Sequence, residues 1–301
     1  MQTTSAAAQR GMQANAAKLA EAQLRTSDLK KNARLSDNPA AAADSMAVRN
    51  AQAAADQYGR NIADGNNWLS MADDALSTSK TLLDRVQFLT IQGSNASTNA
   101  QGKEAIAVEI DSIRKDLMNQ ANAKYMGRNL FAGNSDAKNA FEDQPLPAPP
   151  ALPPTPAAPP IFNGDGSAVQ RRIGTDTQLQ VDADGAKIFG DGANSIFGLL
   201  SKISSDLRNG GDVASNIDTL STAVDKVVTG RSEVGARHAE LLRAQDANTN
   251  AVVDLENQRS GIEDLDLGKA ILDLQTQQLA YQTSLGVTAK VIQPTLMDFL
   301  R

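Results

Sequence analysis

The stretch that decides the fold is residues 267–292, LGKAILDLQTQQLAYQTSLGVTAKVI. It contains no proline, and one set of positions recurs at alternating steps of four and three residues, the spacing of a coiled-coil face. These positions are Leu267, Ile271, Leu274, Gln278, Tyr281, Leu285, Thr288 and Ile292. The pattern lasts more than three heptads, so it predicts a long helix that packs against a partner helix.

The opposite end of the chain carries a weaker version of the same pattern. Residues 4–31 are rich in Ala, Gln, Lys and Leu and contain no proline. Met12, Leu19 and their neighbours follow a spacing close to 3.5, which predicts a second amphipathic helix. Helical seams at both ends imply that the two ends of the chain return to one bundle.

Further helices are predicted between the two ends. Asn38 is a good N-cap residue, and Pro39 stands where a first helical residue needs no N–H donor. Ser260-Gly261-Ile262-Glu263 matches a capping box and predicts the start of the final helix. Apolar periodicity predicts helices over 39–92, 101–122, 195–209 and 212–257.

The middle of the chain has a different composition. Nine of the eleven prolines lie between 145 and 160, a density that excludes helix and central strand and favours an extended surface segment. Turn glycines in 125–133 predict a hairpin-like connection. Alternating patterns in 168–173 and 177–182 predict a small antiparallel β unit.

The predicted fold class is mainly α, with a long helical bundle and coiled coil formed by both termini. A small β-rich insertion lies at the centre. The predicted domains are terminal arms (1–36 plus 264–301), a helical bundle (37–142 plus 191–263), and the proline-rich and β region (143–190).

The composition argues against several classes of function. Lys and Arg total 29 against 35 Asp and Glu, without the basic stripe that binds phosphate backbones. The chain has no Cys and one histidine, His238, which excludes thiolate and multi-His metal sites. P-loop, G-x-S-x-G and H-E-x-x-H motifs are missing. We therefore predict no enzyme, no catalytic residue, no cofactor, no metal and no nucleic-acid partner.

Two local patterns have ordinary structural interpretations. Asp182-Ala183-Asp184-Gly185 is similar to part of a calcium loop, but the preceding Asp and the later Glu are missing, which favours a β-turn. The first thirty residues lack the apolar core of a cleavable signal peptide, and no stretch reaches the length of a membrane span. We expect neither a cleaved signal peptide nor membrane insertion.

The terminal seams leave two interpretations open. They could form an ordinary coiled coil within one chain. They could instead be half-interfaces that matching seams on neighbouring copies complete. Periodicity by itself does not decide between these two.

Five segments, in order along the chain, together resemble the flagellin superfamily and more closely its hook–filament junction branch. They are RLSDNPAAA (34–42), YMGRNLFAG (125–133), RSEVGAR (231–237), IEDLDL followed by TQQLAY (262–267 and 276–281), and LMDFL (296–300). The resemblance spans about 1–142 and 190–301.

The resemblance implies a structural subunit of the bacterial flagellum, needed for filament assembly and motility. Such a subunit joins hook-associated protein 1 on the hook side to flagellin on the filament side and associates with itself in a ring. It implies a cytosolic export chaperone, export through the flagellar type III pathway, and an extracellular location. The residues expected at subunit contacts are Met12, Leu19, Ile271, Leu274, Tyr281, Leu285 and Ile292.

Two alternatives stay open. The first is flagellin itself, although the Asn-rich start and small polar tail of flagellins are missing. The second is a cytosolic helical scaffold or enzyme.

Overall fold

A computed structural model describes residues 2–31, 38–144 and 159–292, without the side chains of 2–5 and 291–292. Most of the predicted proline-rich segment lies outside these ranges. The α-helices within them are α1 (Gln2–Asp28), α2 (Pro39–Ser94), α3 (Ala100–Ala121), α4 (Gly185–Phe189), α5 (Ile196–Asn209), α6 (Ile217–Glu263) and α7 (Leu267–Ile292).

Six short strands lie between α3 and α4 and form three antiparallel pairs. The pairs are β1 (Lys124–Tyr125) with β2 (Arg128–Asn129), β3 (Phe141–Glu142) with β4 (Ile161–Phe162), and β5 (Gln170–Arg172) with β6 (Gln178–Gln180). The predicted fold class, mainly helical with a small β region in the middle, is confirmed.

The chain forms two compact units. The first consists of Met1–Asp56 with Asn250–Arg301, and the second is Gln57–Thr249. The first unit thus contains both ends of the chain, as the nested pattern of the sequence predicts. The three-part division with boundaries near 36, 142, 190 and 263 stays a prediction.

The second unit contains a continuous hydrophobic core. Four phenylalanine rings occupy its centre, with neighbouring ring centroids 5.2–6.1 Å apart, an arrangement that stabilises beyond burial alone. Trp68, the single tryptophan, is 1% exposed and packs edge-on against Tyr125. The four rings belong to Phe131, Phe141, Phe189 and Phe197.

The predicted start of α2 is confirmed. Its first residue is Pro39, and the side chain of Asn38 accepts a hydrogen bond from the N–H of Ala41 at 3.1 Å. Gly59 and Gly65 do not interrupt the helix. At both positions the facing side chains, Asn248 and Val181, would lie 3.0–3.2 Å from an added Cβ, so glycine permits close packing.

The predicted capping box at Ser260–Glu263 is wrong. Helix α6 continues to Glu263, and the Ser260 hydroxyl bonds the carboxylate of Asp264 at 2.6 Å instead of an N–H of a new helix. The N-cap of α7 is Asp266, whose side chain accepts from the N–H of Lys269 at 3.1 Å. The acid of the pattern, Glu263, is bound by Ser45 and Arg49 of α2, and a sequence pattern of four residues does not contain those distant contacts.

Gly133 is the residue that allows the loop after β2 to close. Its φ is +65°, a left-handed conformation that favours glycine. An added Cβ would collide with the carbonyl oxygen of Ser167 and lie 2.6 Å from Oδ1 of Asp165. Gly127, in the turn between β1 and β2, also has a positive φ, of +83°, but open space surrounds it.

These two glycines make a matched pair of substitutions. We expect Gly127→Ala to lower the free energy of unfolding by about 1 kcal/mol, because alanine disfavours a left-handed backbone. Gly133→Ala adds a collision with backbone and should cost roughly 3 kcal/mol. Urea unfolding followed by Trp68 fluorescence measures both losses. Equal losses would show that the loop yields and that space around Gly133 does not matter.

Candidate assembly interface

Helices α1 and α7 form an antiparallel pair within the first unit. Residues near the start of α1, such as Ala8, lie beside residues near the end of α7, such as Val287. At the other end of the pair, the N–H of Leu265 donates to the carbonyl of Leu29 at 3.1 Å. The two ends of the chain therefore meet along most of the length of both helices.

Burial along the two helices identifies the seam between them. On each helix one set of half-buried or buried positions recurs at steps of four and three, as in a coiled coil, with Ala16, Arg25 and Ala280 half-buried beside it. The seam consists of Ala8, Met12, Asn15, Leu19, Ala22 and Thr26 on α1, and Ala270, Leu274, Gln277, Tyr281, Ser284 and Thr288 on α7.

Small and polar side chains supply much of this seam. The hydroxyls of Ser284 and Thr288 donate to carbonyls of their own helix at 2.7 and 2.8 Å, so their burial leaves no lost hydrogen bond. Alanines at 8, 22 and 270 contribute little apolar surface. The seam is thus only moderately hydrophobic, since large aliphatic residues occupy few of its positions.

The predicted contact residues divide into three groups. Met12, Leu19, Leu274 and Tyr281 lie in the seam between α1 and α7. Ile271 and Leu285 lie one position beyond seam residues and keep 41% and 42% of their surface exposed. The side chain of Ile292 lies outside the described residues. As contacts between subunits, all seven stay a prediction.

The reason for this division is a choice between two overlapping stripes on α7. Both stripes share Leu274, Tyr281 and Thr288. The sequence pattern completes them with Ile271 and Leu285, whereas α1 packs against the stripe completed by Ala270, Gln277 and Ser284. The more apolar stripe is left partly uncovered on the flank of the helix pair.

The uncovered part of α7 is unusually apolar. Six of its large aliphatic side chains are exposed, and Leu272 and Leu279 reach 66% and 65% exposure. From Leu274 to Ala289 the helix contains no charged residue. An apolar surface that carries no charge from Leu274 to Ala289 has the composition of a buried contact. The six residues are Leu267, Ile271, Leu272, Leu279, Leu285 and Val287.

A shallow groove lies between α1 and α7, and two of these exposed residues, Leu279 and Val287, help to line it. Gly11 forms part of its floor, and no atom lies within 4 Å of the position of an added Cβ. Leu279, Thr283 and Val287 line the opposite wall. The residues that line the groove are all uncharged, as is the stretch of α7 that borders it.

The RSEVGAR segment of α6 has structural contacts. Arg231 binds Asp73 through two hydrogen bonds of 2.8 and 3.1 Å, and this raises the pKa of Arg231. Arg237 donates to the carbonyl oxygen of Asp182 at 2.6 Å. Val234 is buried between them. The motif holds α6 to its neighbours within the second unit.

The titratable side chains that the sequence analysis considered for catalysis or metal binding make structural hydrogen bonds. His238 bonds the amide oxygen of Asn66 at 2.7 Å, and Asp184 caps α4 through the N–H groups of Ala186 and Lys187. Asp182 is buried, which raises the pKa of its carboxyl, and it accepts the N–H of Val169 at 2.8 Å.

Across the described ranges, His, Cys, Asp and Glu side chains form no group of three or more that is placed to hold a metal ion. No helix in the same ranges combines the length and the apolar character needed to cross a bilayer.

A contact between α2 and the end of α6 in the first unit was not predicted from the sequence. Arg49 and Ser45 on α2 both bond the carboxylate of Glu263 at the end of α6. The 262–267 motif was a usable signal for Glu263. Nothing local marked Arg49 or Ser45 as its partners, because they lie more than 200 residues away in sequence.

Comparison with known proteins supplies the context for these helices. Residues 1–136 match the bacterial flagellin N-terminal helical region, and residues 216–300 match the bacterial flagellin C-terminal helical region. Flagellar hook-associated protein 3 of Salmonella typhimurium is 25% identical over 275 residues, which cover 83% of this chain and 82% of that protein.

Two solved structures share the fold. FlgL from Bacillus cereus has a TM-score of 0.58 and 22% identity, covering 71% of this chain and 99% of that one. The flagellar junction protein FlgL from Legionella pneumophila has a TM-score of 0.57 and 13% identity, covering 73% and 100%. The likeness therefore extends over nearly the whole of each of these structures.

One pair of substitutions distinguishes the seam of α7, which contacts α1, from its exposed flank. Leu274→Ala removes contacts with α1, so we expect amide hydrogens of α1 to exchange roughly tenfold faster. Leu279→Ala changes an exposed residue of the same type and should alter exchange by less than about twofold. Hydrogen exchange with mass spectrometry measures both. Similar acceleration in the two variants would contradict the assignment of the seam.

Proposed function

We propose that this chain, which belongs to the flagellin superfamily and is of the hook-associated protein 3 type, is a structural subunit of the hook–filament junction. The observation that carries the proposal is the uncharged apolar flank of α7, left open beside a seam that α1 already fills. In this role the chain acts by contact between subunits and performs no catalysis.

The flank supports the proposal because exposed aliphatic surface is unfavourable in water. Fully burying a Leu or Ile side chain stabilises by about 1.5–3 kcal/mol, and these residues are already partly covered. Each would therefore add about 1 kcal/mol on contact with a neighbour. One pair of subunits gains modestly, while a closed ring repeats the contact around its circumference.

The proposed contacts assign separate roles to the predicted residues. Leu274 and Tyr281 hold α7 to α1 within one chain. Ile271, Leu285 and Ile292 bind the terminal helices of the neighbouring copy. Met12 and Leu19 support the pair from α1, so that the flank is presented by a rigid element.

The partners and location follow from the type of subunit. We propose that the assembled ring binds hook-associated protein 1 on the hook side and flagellin on the filament side. A cytosolic chaperone protects the exposed flank before export, and the chain leaves through the flagellar type III pathway. In the finished structure it is extracellular. The domains are those that the sequence predicts, with 1–36 plus 264–301 as the assembling arms.

The flank can be tested with a matched pair of double substitutions. Ile271→Ser with Leu285→Ser replaces two exposed apolar residues that lie seven positions before and after Gln278 on the same stripe, so the isolated chain should still fold. We expect cells that carry this variant to export the subunit yet to build few or short filaments, visible by electron microscopy. The spread of motile cells in soft agar should fall accordingly.

The control is Gln275→Ser with Gln282→Ser. These two exposed polar residues lie on α7 four residues after Ile271 and three residues before Leu285. This control should leave filament number and length unchanged. Normal filaments in the Ile271→Ser, Leu285→Ser variant would remove the flank from the interface and with it the main support for the proposal.

A second candidate is flagellin itself, because both matching family models describe flagellin helical regions. The two candidates differ in where the protein lies. Antibody-coupled gold should label one point near the base of each filament if the chain is a junction subunit. Label along the whole filament would instead identify the chain as the filament subunit.

A further inference from the structure

We infer that Glu263 is a positioning residue whose carboxylate and carbonyl join three chain segments into a latch at the start of the α1–α7 pair. The latch consists of Leu29–Lys31 after α1, Ser45 and Arg49 on α2, and Glu263–Leu265 at the end of α6 and just after it. All of these residues belong to the first unit. The inference concerns the single chain and does not depend on the proposed function.

The carboxylate makes three hydrogen bonds to α2. Arg49 donates Nε to Oε1 and Nη2 to Oε2, each at 2.8 Å, which is the paired geometry that suits guanidinium and carboxylate. The Ser45 hydroxyl adds a bond of 2.5 Å to Oε1. The Glu263 side chain is 15% exposed. Hydrogen bonds from Arg49 and Ser45 lower its pKa to about 2, so the group is ionised under ordinary conditions.

The backbone on both sides of Glu263 pairs with the segment that follows α1. The N–H of Lys31 donates to the carbonyl of Glu263 at 2.8 Å, and the N–H of Leu265 donates to the carbonyl of Leu29 at 3.1 Å. Lys30 and Asp264 lie opposite each other between these bonds. The result is a short antiparallel ladder. The backbone carbonyl of Glu263 takes part in this ladder, and its carboxylate holds the ladder to α2.

Leu29 shows that this ladder holds the backbone in an unfavourable state. Its φ is +54°, which is uncommon for a leucine, and 55% of its surface is exposed. Burial of the side chain therefore does not compensate for the conformation. The bond that Leu29 accepts from Leu265 does compensate for it, so an outside contact maintains the strain.

The latch is directly connected in sequence to both terminal helices. Three residues, 264–266, separate the end of α6 from the start of α7. With so short a connection, anchoring Glu263 to α2 also determines where α7 begins. The paired segment 29–31 determines where α1 ends. Opening the latch would free both helices of the pair at the same end.

Hydrogen exchange at the two latch amides, Lys31 and Leu265, tests the inference in the full-length chain. Glu263→Gln keeps the size of the side chain but removes the charge that binds Arg49. We expect protection of both amides to fall at least about tenfold, because charge-assisted hydrogen bonds are the stronger kind. Unchanged Trp68 fluorescence will show that the second unit stays folded.

The control is Glu256→Gln, one of the other acids on α6. Glu256 accepts a 2.8 Å bond from Gln52 on α2, and its carboxylate also pairs with Arg259 on the surface. Exposed pairs of this kind contribute little, so protection of Lys31 and Leu265 should change by less than about twofold. Equal effects of Glu263→Gln and Glu256→Gln, or no effect of Glu263→Gln, would overturn the latch.

Leu29→Asn approaches the latch from the other strand and leaves the ion pair intact. Asparagine tolerates a left-handed backbone better than leucine. Protection of the Leu265 amide should therefore rise, by roughly threefold. A fall in protection would contradict the claim that the latch holds Leu29 under strain, even if Glu263→Gln failed to fold.

Discussion

The antiparallel pairing of α1 with α7 is the constraint on which the first unit depends. It brings together helices that are separated by more than 230 residues of chain, so the segments between them must leave and return at one end. The pairing uses small and hydroxyl side chains at many seam positions. Such a seam lets two helices approach closely, but it leaves part of the apolar surface of α7 uncovered.

That uncovered surface connects the fold to its role. A helix that is apolar on both its seam and its flank can bury only one of these surfaces against a single antiparallel partner. The flank then requires a second partner, and the lack of charge between Leu274 and Ala289 removes the usual obstacle to burying it. A subunit of an assembly has such partners available in its neighbours, which explains why an apolar surface of this kind persists on α7.

The second unit is built differently and needs no neighbour to form its core. Phenylalanine rings, Trp68 and aliphatic residues of α2, α3, α5 and α6 are almost fully buried there. Glycines allow the closest approaches, and ion pairs such as Arg231 with Asp73 hold the helix surfaces together. Two of the motifs shared with flagellin-type proteins, 125–133 and 231–237, lie in this unit and serve its packing, since Asn129 bonds the carbonyl of Ala137 and Arg231 bonds Asp73.

The sequence by itself determined the long helices, the central change in composition, the β-hairpins and the return of the two ends to one bundle, but not the short helix α4, which begins where a β-turn was predicted. These features follow from local spacing and from turn residues such as Asn38, Pro39 and Gly133, whose preferences act over a few positions. Tertiary structure decided which of two overlapping stripes on α7 faces α1, and that Glu263 ends α6 bound to Arg49 instead of opening a new helix. Both outcomes depend on side chains that are distant in sequence. The spacing of apolar residues within one helix does not specify which distant surface packs against it.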